Sequence, residues 1–587
     1  MATNRTIPRL WRDGVAKGRA GPAYLVQHDD HWHEVTWSDA GGRVDALAGG
    51  LLARGVRKGD AFAILARTTL EWALFDFALA HVGAVVVPIY ENSSAKDARF
   101  VLEHSRSVGV LCEDAHQLAK VTNGSGTPPL EHVLTYDDLA ALEADGREYA
   151  TAHPEALDEA VASVDEEDLF TLIYTSGTTG PPKGCMIRHR NYYEMVAVVD
   201  GLPRYAQDDD VTLLYLPLAH NFGRLLHLAG PYVGFATAFL PDPLAVAAAL
   251  PQIRPTILPS VPRVYEKIHT AVVSAFDDTT GVKRRIVDWA LRVGRRASEL
   301  RQQGRTLSPG LAAQLAVADR LVFAQVRERL GGRLRTPIAG GAPLSQEIAE
   351  FFDALGIRIL EGYGLTECTS AATTNTPDRY RFGTVGPALP GFELRLAEDG
   401  ELLIRSETVF AGYYRDPEAT AAVLSEDGWL RSGDIAEIDA DGFVRITDRK
   451  KDILVTAGGK NVAPQNIEND LKASRYVSQA LVVGDRRPYV AALLTLEQDE
   501  IRRWAAEHGV DGGMETLAGD GRVHALMQEI VDTVNADRSR FEQLKRFAIL
   551  PRDFTMEDGE ITPTLKLKRR VVLEHFADAV EELYRSE

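Results

Sequence analysis

Between Leu172 and Ile187 the chain reads LIYTSGTTGPPKGCMI. An apolar run ends in Thr175, Ser176, Gly177, Thr178, Thr179 and Gly180, followed by two prolines, Lys183 and Gly184. Successive hydroxyl and glycine positions offer short donors and let backbone N–H groups approach phosphate oxygens. Lys183 adds a mobile positive charge. By composition alone such a stretch is a flexible linker; the ordered Pro-Lys-Gly that follows argues for a phosphate loop. It is not of Walker type, which ends in Gly-Lys-Ser/Thr and opens a helix. Two prolines precede the lysine, so Lys183 is expected on a stiff loop.

Other groups with chemical potential lie far apart in the chain. The run Glu361-Gly362-Tyr363-Gly364-Leu365-Thr366-Glu367 carries a hydroxyl beside a carboxylate. Glu367 reads in isolation as an acid at a helix N-terminus, stabilised by the dipole. Gly340-Gly341-Ala342-Pro343 offers a slim backbone edge, and Tyr363 a ring to face it. Asp434, after Ser432-Gly433, is ordinarily a turn residue, yet its carboxylate can accept two hydroxyls at once. His220, within LPLAHNFGRLLHL, reads in isolation as a core side chain. Lys566 opens the basic run Lys566-Leu567-Lys568-Arg569-Arg570, in isolation a solvated face.

Taken in order, these segments resemble the adenylate-forming superfamily of acyl-CoA synthetases, acyl-adenylating domains and firefly-type luciferases. Its signature loop, Thr-Ser-Gly-Thr-Thr-Gly-x-Pro-Lys-Gly, stands nearly complete at 175–184. Leu216–His220 is similar to the acyl-pocket segment, and 361–367 to the Tyr-Gly-x-Thr-Glu motif. Residues 429–434 resemble the segment that ends in a ribose-binding aspartate. Asp448-Arg449-Lys450-Lys451-Asp452, with Gly458 and Pro464–Glu468, resembles the hinge motif. Two stretches point to the long-chain acyl-CoA synthetase branch: Pro259–Lys267 (PSVPRVYEK) and Ile561–Lys566 (ITPTLK). The usual Ser-Gly-Lys of other members is absent there, which leaves the choice between Lys566 and Lys568 to the alignment; it favours Lys566.

The resemblance implies a two-step activation using ATP, Mg²⁺ and CoA. A fatty acid would be adenylated with loss of pyrophosphate and then transferred to the CoA thiol with release of AMP. Residues 175–180 and Lys183 would hold the β- and γ-phosphates, with Thr366 at the α-phosphate and Glu367 and Thr175 at the metal. Gly341, Ala342, Pro343 and Tyr363, flanked by Glu361, Gly362 and Gly364, would hold the adenine. Asp434 would take the ribose, Arg449 the ribose or phosphate, and His220 would gate the acyl channel. Lys566 would bridge the substrate carboxylate and α-phosphate. A carrier-protein thiol, or a medium-chain or aryl acid, is the alternative within the superfamily. A luciferase-like oxidase and a nonenzymatic nucleotide-binding regulator are the remaining readings.

These groups need an α/β scaffold, and the patterning supplies one. Residues 43–54 and 69–81 have helical apolar spacing, while AFAIL and AVVVPI read as strands, an alternation that argues for parallel sheets with flanking helices. Leu213–Leu250, broken by Pro217, His220, Asn221, Arg224, Pro231 and Asp242, reads as core strands and loops, too interrupted for a membrane span. NGSGTPP at 123–129 reads as a loop. Three Asp-Gly-punctuated strands precede Asp448. The resemblance implies a large N-terminal domain, 1–448, of parallel-rich sheets with a small β-barrel-like part. A small mobile α+β domain, 449–587, would follow, hinged at 449–451.

The chain has 587 residues, 84 acidic against 65 basic, for a net charge of −19, and 45% are hydrophobic. That balance argues against a nucleic-acid partner, and the composition excludes a disordered, collagen-like or disulfide-framed protein. Cys112, Cys185 and Cys368 have no metal or redox spacing and suit a reducing compartment. With no apolar run near the N-terminus, a cytoplasmic location is expected, as monomer or homodimer. Residues 283–335 depart from the average, with 13 Lys or Arg against four acids. There Ile286, Trp289, Ala290, Val293, Ala297 and Leu300 share a helix face opposite Arg292, Arg295 and Arg296. That helix reads as a solvated basic face, or as a docking surface for anionic lipid, a peripheral contact at the inner face of the membrane, or for a phosphorylated cosubstrate.

Overall fold

The computed structural model describes residues 4–29, 31–122, 129–175, 181–536, 538–562 and 567–585. The strand–helix alternation builds two large sheets. In the six-stranded one, Ala61–Leu65 lies between Gly109–Cys112 and Val85–Ile89, with His132–Thr135 at one edge. Leu169–Thr175 follows Val85–Ile89 in parallel, and Lys183–Arg188 closes the other edge antiparallel to it. The eight-stranded sheet has a parallel centre formed by Leu360–Tyr363, Thr336–Ala339, Ile257–Ser260, Val211–Leu214, Ala236–Phe239 and Tyr24–His28, in that order. Parallel strands of this kind are buried on both faces and read as continuous apolar runs.

Two helices from the two sheets are buried almost all round, Leu70–His81 and Asn221–Val233. The second corrects the expectation of strands and loops over 213–250: its polar side chains Asn221, Arg224 and His227 share one stripe but are buried with the apolar ones, so in sequence they read as breaks in a core segment, and Pro231 near its end masks the helix further. Arg224 and Asp76, both fully buried, join these helices. The Arg224 guanidinium donates from Nε to Asp76 Oδ2 at 3.2 Å and from Nη1 to Thr171 Oγ1 at 2.7 Å, and Nη2 reaches Asp76 Oδ1. It also lies 4.4 Å from the centre of the Phe170 ring.

Four antiparallel strands, Glu393–Leu396, Glu401–Arg405, Leu430–Ile438 and Val444–Arg449, form the smaller β part. Among buried apolar residues, the largest cluster runs from Ile7 to Val444, and separate clusters begin at Leu454. That last part holds a short hairpin at 454–462, the helix Pro464–Lys472 and a three-stranded sheet. The basic helix is Gly281–Gln302; Ala290, Val293, Ala297 and Leu300 are buried, Ile286 and Trp289 partly so, and Arg292, Arg295 and Arg296 are exposed. Among the described residues no helix is long and apolar enough to cross a membrane. All but one residue of the 123–129 loop lies outside the described residues.

Removing one member of a buried ion pair strands the other, at a cost of about 3–5 kcal/mol, whereas replacing both by apolar side chains is far milder. Denaturant unfolding of Asp76→Ala is expected to show that loss. The pair Asp76→Leu with Arg224→Met should recover most of it; a double variant as weak as the single would contradict this account.

Candidate active site

The two ends of the phosphate-loop motif face each other across antiparallel strands. Thr175 ends one strand and pairs with Lys183, which begins the return strand. Lys183 therefore sits on a strand and not on the stiff loop its prolines suggest, because pairing with Thr175 continues the sheet up to the lysine. Ser176, Gly177, Thr178, Thr179 and Gly180 lie outside the described residues, as does Lys566.

A segment remote in sequence is added to the return strand. Ala411 N donates to Met186 O, Met186 N to Gly412 O and Tyr414 N to Gly184 O, at 2.8–2.9 Å. Phe410 N meanwhile donates to Glu367 O at 2.8 Å. The segment thus ties the return strand to the turn Thr366–Cys368 and brings Tyr413 between them. Its hydroxyl donates to Glu367 Oε1 at 2.7 Å, and Lys183 Nζ stands 5.2 Å from its ring centre. Lys183 Nζ is also 3.8 Å from Asp416 Oδ2. Burial and then the Glu367 carboxylate drive the Tyr413 phenol far up, so it remains a donor.

The turn that presents Thr366 and Glu367 is strained. Thr369 and Ser370 have φ of 57° and 92°, a region that side chains with a Cβ enter at a cost of about 1–3 kcal/mol each. Thr369 Oγ1 donates to Thr408 O at 2.6 Å, and Thr408 Oγ1 to Cys368 O at 3.2 Å, which pin the turn. Gly364 is required by close approach: a Cβ there would fall 1.7 Å from Ser370 O. On the other side, Asn221 Nδ2 donates to Thr366 O at 3.3 Å, and Tyr192 OH donates to Asn221 Oδ1.

Tyr363 and Asp434 meet directly, the phenol donating to Oδ2 at 2.5 Å. Arg449 pairs opposite Asp434 across two antiparallel strands, with Nε 3.6 Å from Oδ1. Burial and then Asp434 hold the Tyr363 phenol well above its ordinary range. Gly341, at φ 84°, and Ala342 are exposed, and Pro343 half-buried. Glu361 is buried; its Oε2 accepts from Leu344 N at 3.3 Å, and burial pushes its carboxyl up to about 8. His220 caps the helix Asn221–Val233, its Nδ1 accepting from Phe222 N at 3.2 Å. Burial pushes the Cys368 thiol up to about 12, and Cys185 well above its ordinary value, so neither is an activated nucleophile.

The structure thus gathers Thr175, Lys183, Thr366 and Glu367 into one group and Tyr363, Asp434 and Arg449 into a second, the two joined through 363–367. Tyr413, Asp416 and Asn221 belong with them and were not singled out by sequence. Tyr413 lies 46 residues from its partner Glu367, and no local spacing announces such a contact. Glu367 Oε1 accepts from Tyr413, which orients the carboxylate. Mg²⁺ suits such a donor set, since it takes one or two carboxylates and fills its other positions with phosphate oxygens and water.

Residues 14–414 match the family described as AMP-binding enzyme, and residues 451–587 its C-terminal domain. The chain belongs to the AMP-binding enzyme family. It is 39% identical to the long-chain-fatty-acid–CoA ligase FadD15 of Mycobacterium bovis, over 97% of this chain and 96% of that one. The peroxisomal long chain acyl-CoA synthetase 6 of Arabidopsis thaliana is 31% identical over 94% of this chain and 81% of its own. In fold it is similar to the adenylation domain of a carboxylate reductase from Mycobacterium chelonae, with TM-score 0.76 and 24% identity, over 99% of this chain and 91% of that one.

Because Glu361 titrates near 8 when folded, against an ordinary value of 4.5, the native state holds a proton that the unfolded chain gives up. Its contribution to stability is complete below the lower value and is lost as pH rises through the upper one. Glu361→Gln should flatten the fall of the thermal midpoint across that window; an unchanged slope would remove Glu361 as its source.

Proposed function

We propose that this chain is an ATP- and Mg²⁺-dependent ligase that activates a long-chain fatty acid as acyl-AMP and transfers it to CoA. What carries the reading is the convergence of Lys183, Glu367, Tyr363, Asp434 and Arg449 from distant motifs, in a chain similar along its length to FadD15. The carboxylate oxygen attacks the α-phosphorus and pyrophosphate leaves; the CoA sulfur then attacks the acyl carbonyl and AMP leaves. Positioning and charge stabilisation dominate such chemistry.

In this reading 175–180 and Lys183 hold the β- and γ-phosphates, and Thr366 lies at the α-phosphate. Glu367, oriented by Tyr413, holds Mg²⁺ together with Thr175, and the metal when bound neutralises charge on the phosphates. Gly341, Ala342 and Pro343, with Tyr363 opposite and Glu361, Gly362 and Gly364 around it, hold the adenine. Asp434 takes the ribose hydroxyls, Arg449 the ribose or phosphate, and His220 gates the acyl channel. Lys566 bridges the carboxylate and the α-phosphate. Domains of 1–448 and 449–587, hinged at 449–451, alternate between the two steps. The break between buried clusters after Val444 supports that division. Partial burial and then Arg449 lower the Lys451 ammonium, while Asp452 and, after it, Asp434 and Glu367 act against them. The hinge lysine therefore feels both site carboxylates.

The purified protein with ATP, Mg²⁺, CoA and a fatty-acid length series should release AMP only when CoA and a long acid are present together. AMP release independent of CoA would favour a carrier-protein acceptor or an oxidase instead. Lys566→Ala should abolish ATP–pyrophosphate exchange while largely sparing thiolation of supplied acyl-adenylate; equal loss of both half-reactions would refute its role. Lys451→Pro should leave exchange intact and depress CoA transfer, and undiminished turnover with CoA would refute the hinge.

A further inference from the structure

The helix Pro262–Asp277 carries the PRVYEK stretch, and nothing in the site uses it. Both of its ends are bound to the C-terminal part of the chain. Arg263 donates from Nη1 to Ser478 O at 2.9 Å, and from Nη2 to Ser478 Oγ at 2.7 Å and Glu497 Oε2 at 3.1 Å. Glu266, one turn on and 6% exposed, accepts from Lys472 Nζ at 3.4 Å. At the far end Asp277 Oδ2 accepts from Arg475 Nη1 at 2.7 Å. Cations and anions come from both sides, so the contact is reciprocal and tolerates no slide along the helix.

Ser478 is 1% exposed, and its hydroxyl also donates to Asp553 Oδ2, whose Oδ1 accepts from Thr495 Oγ1 at 2.7 Å. Arg263 is therefore read by a fixed receptor and not by a mobile surface side chain. An Arg fork held by three acceptors fixes direction as well as distance. This contact lies on residues 472–497, just beyond the proposed hinge at 449–451.

We propose that Arg263 is a domain-positioning residue: with Glu266 and Asp277 it latches the C-terminal domain in the orientation seen here, and the partition between the two half-reactions depends on that latch. The proposal rests on the alternating-domain reading above. Holding one orientation favours the step that orientation serves and must be undone for the other, so loosening the latch changes the ratio of the two rates and not their common level.

The test compares the wild type, Arg263→Ala, Glu497→Ala and the double variant. Each is assayed for ATP–pyrophosphate exchange, for thiolation of supplied acyl-adenylate, and for tryptic cleavage after Arg449, Lys450 and Lys451 without substrates. Arg263→Ala is expected to change the ratio of half-reactions by about threefold or more, the scale of a contact coupling, and to speed cleavage at the hinge. The double variant should shift the ratio no further than Arg263→Ala, because the two residues share one contact. Parallel loss of both half-reactions, unchanged cleavage at the hinge, or additive effects would each overturn the proposal. If Arg263→Ala lowers the thermal midpoint, Arg263→Lys, which keeps the charge and loses the fork, takes its place under the same criteria. Cleavage needs no catalysis, so it reads the latch even where the ligase assignment itself fails.

Discussion

Arg224 lies where the two large sheets meet, with no access to solvent, and its guanidinium faces Asp76, Thr171 and the Phe170 ring at once. A guanidinium in apolar surroundings is costly unless its donors are engaged, so these partners must stay where they are. Thr171 belongs to the strand that leads to the phosphate loop, and Asp76 to the helix Leu70–His81, which joins two other strands of the same sheet, while Arg224 comes from the eight-stranded one. Three residues before Arg224, Asn221 reaches the Thr366 carbonyl. The strand before the loop, the helix Asn221–Val233 and the Thr-Glu turn are thus referred to one buried charge.

From that anchor the site is completed by backbone and not by side-chain proximity alone. The 411–414 segment pairs with the return strand, while Phe410 N bonds Glu367 O. Tyr413 then falls against Glu367, and a strained turn at Thr369 and Ser370 is held by hydroxyl-to-carbonyl bonds. Strain that persists at such a place is over-determined by its surroundings, as a site that must present a carboxylate in one direction requires.

The C-terminal part carries opposite requirements. The proposed alternation asks for mobility at 449–451, yet the contacts of Arg263, Glu266 and Asp277 tie down residues 472–497. These contacts are polar, with Asp277 exposed and only Glu266 and Ser478 fully buried. Such an interface can be released and remade, as an apolar core could not without exposing its surface to water.

Much of the scaffold and chemistry was legible in the residues. The order of the loop, the Thr-Glu motif, Asp434 and the hinge run identified the superfamily, and apolar spacing predicted helices over 43–54 and 69–81 and strands at 61–65 and 84–89. There the structure has the helices Trp37–Ala53 and Leu70–His81 and the strands Ala61–Leu65 and Val85–Ile89. Those signals are local: short-range periodicity and motif order survive in one dimension. The helix Asn221–Val233 was not legible, because Asn221, Arg224 and Pro231 read as breaks in an apolar run, and only the tertiary structure supplies the buried partners that let the first two lie inside a core helix. Tyr413 on Glu367, Asn221 on Thr366 and Arg263 on Ser478 were not legible either. Such pairings depend on which distant segments the sheets and the domain contact bring within hydrogen-bonding reach, a distance no spacing in the sequence encodes.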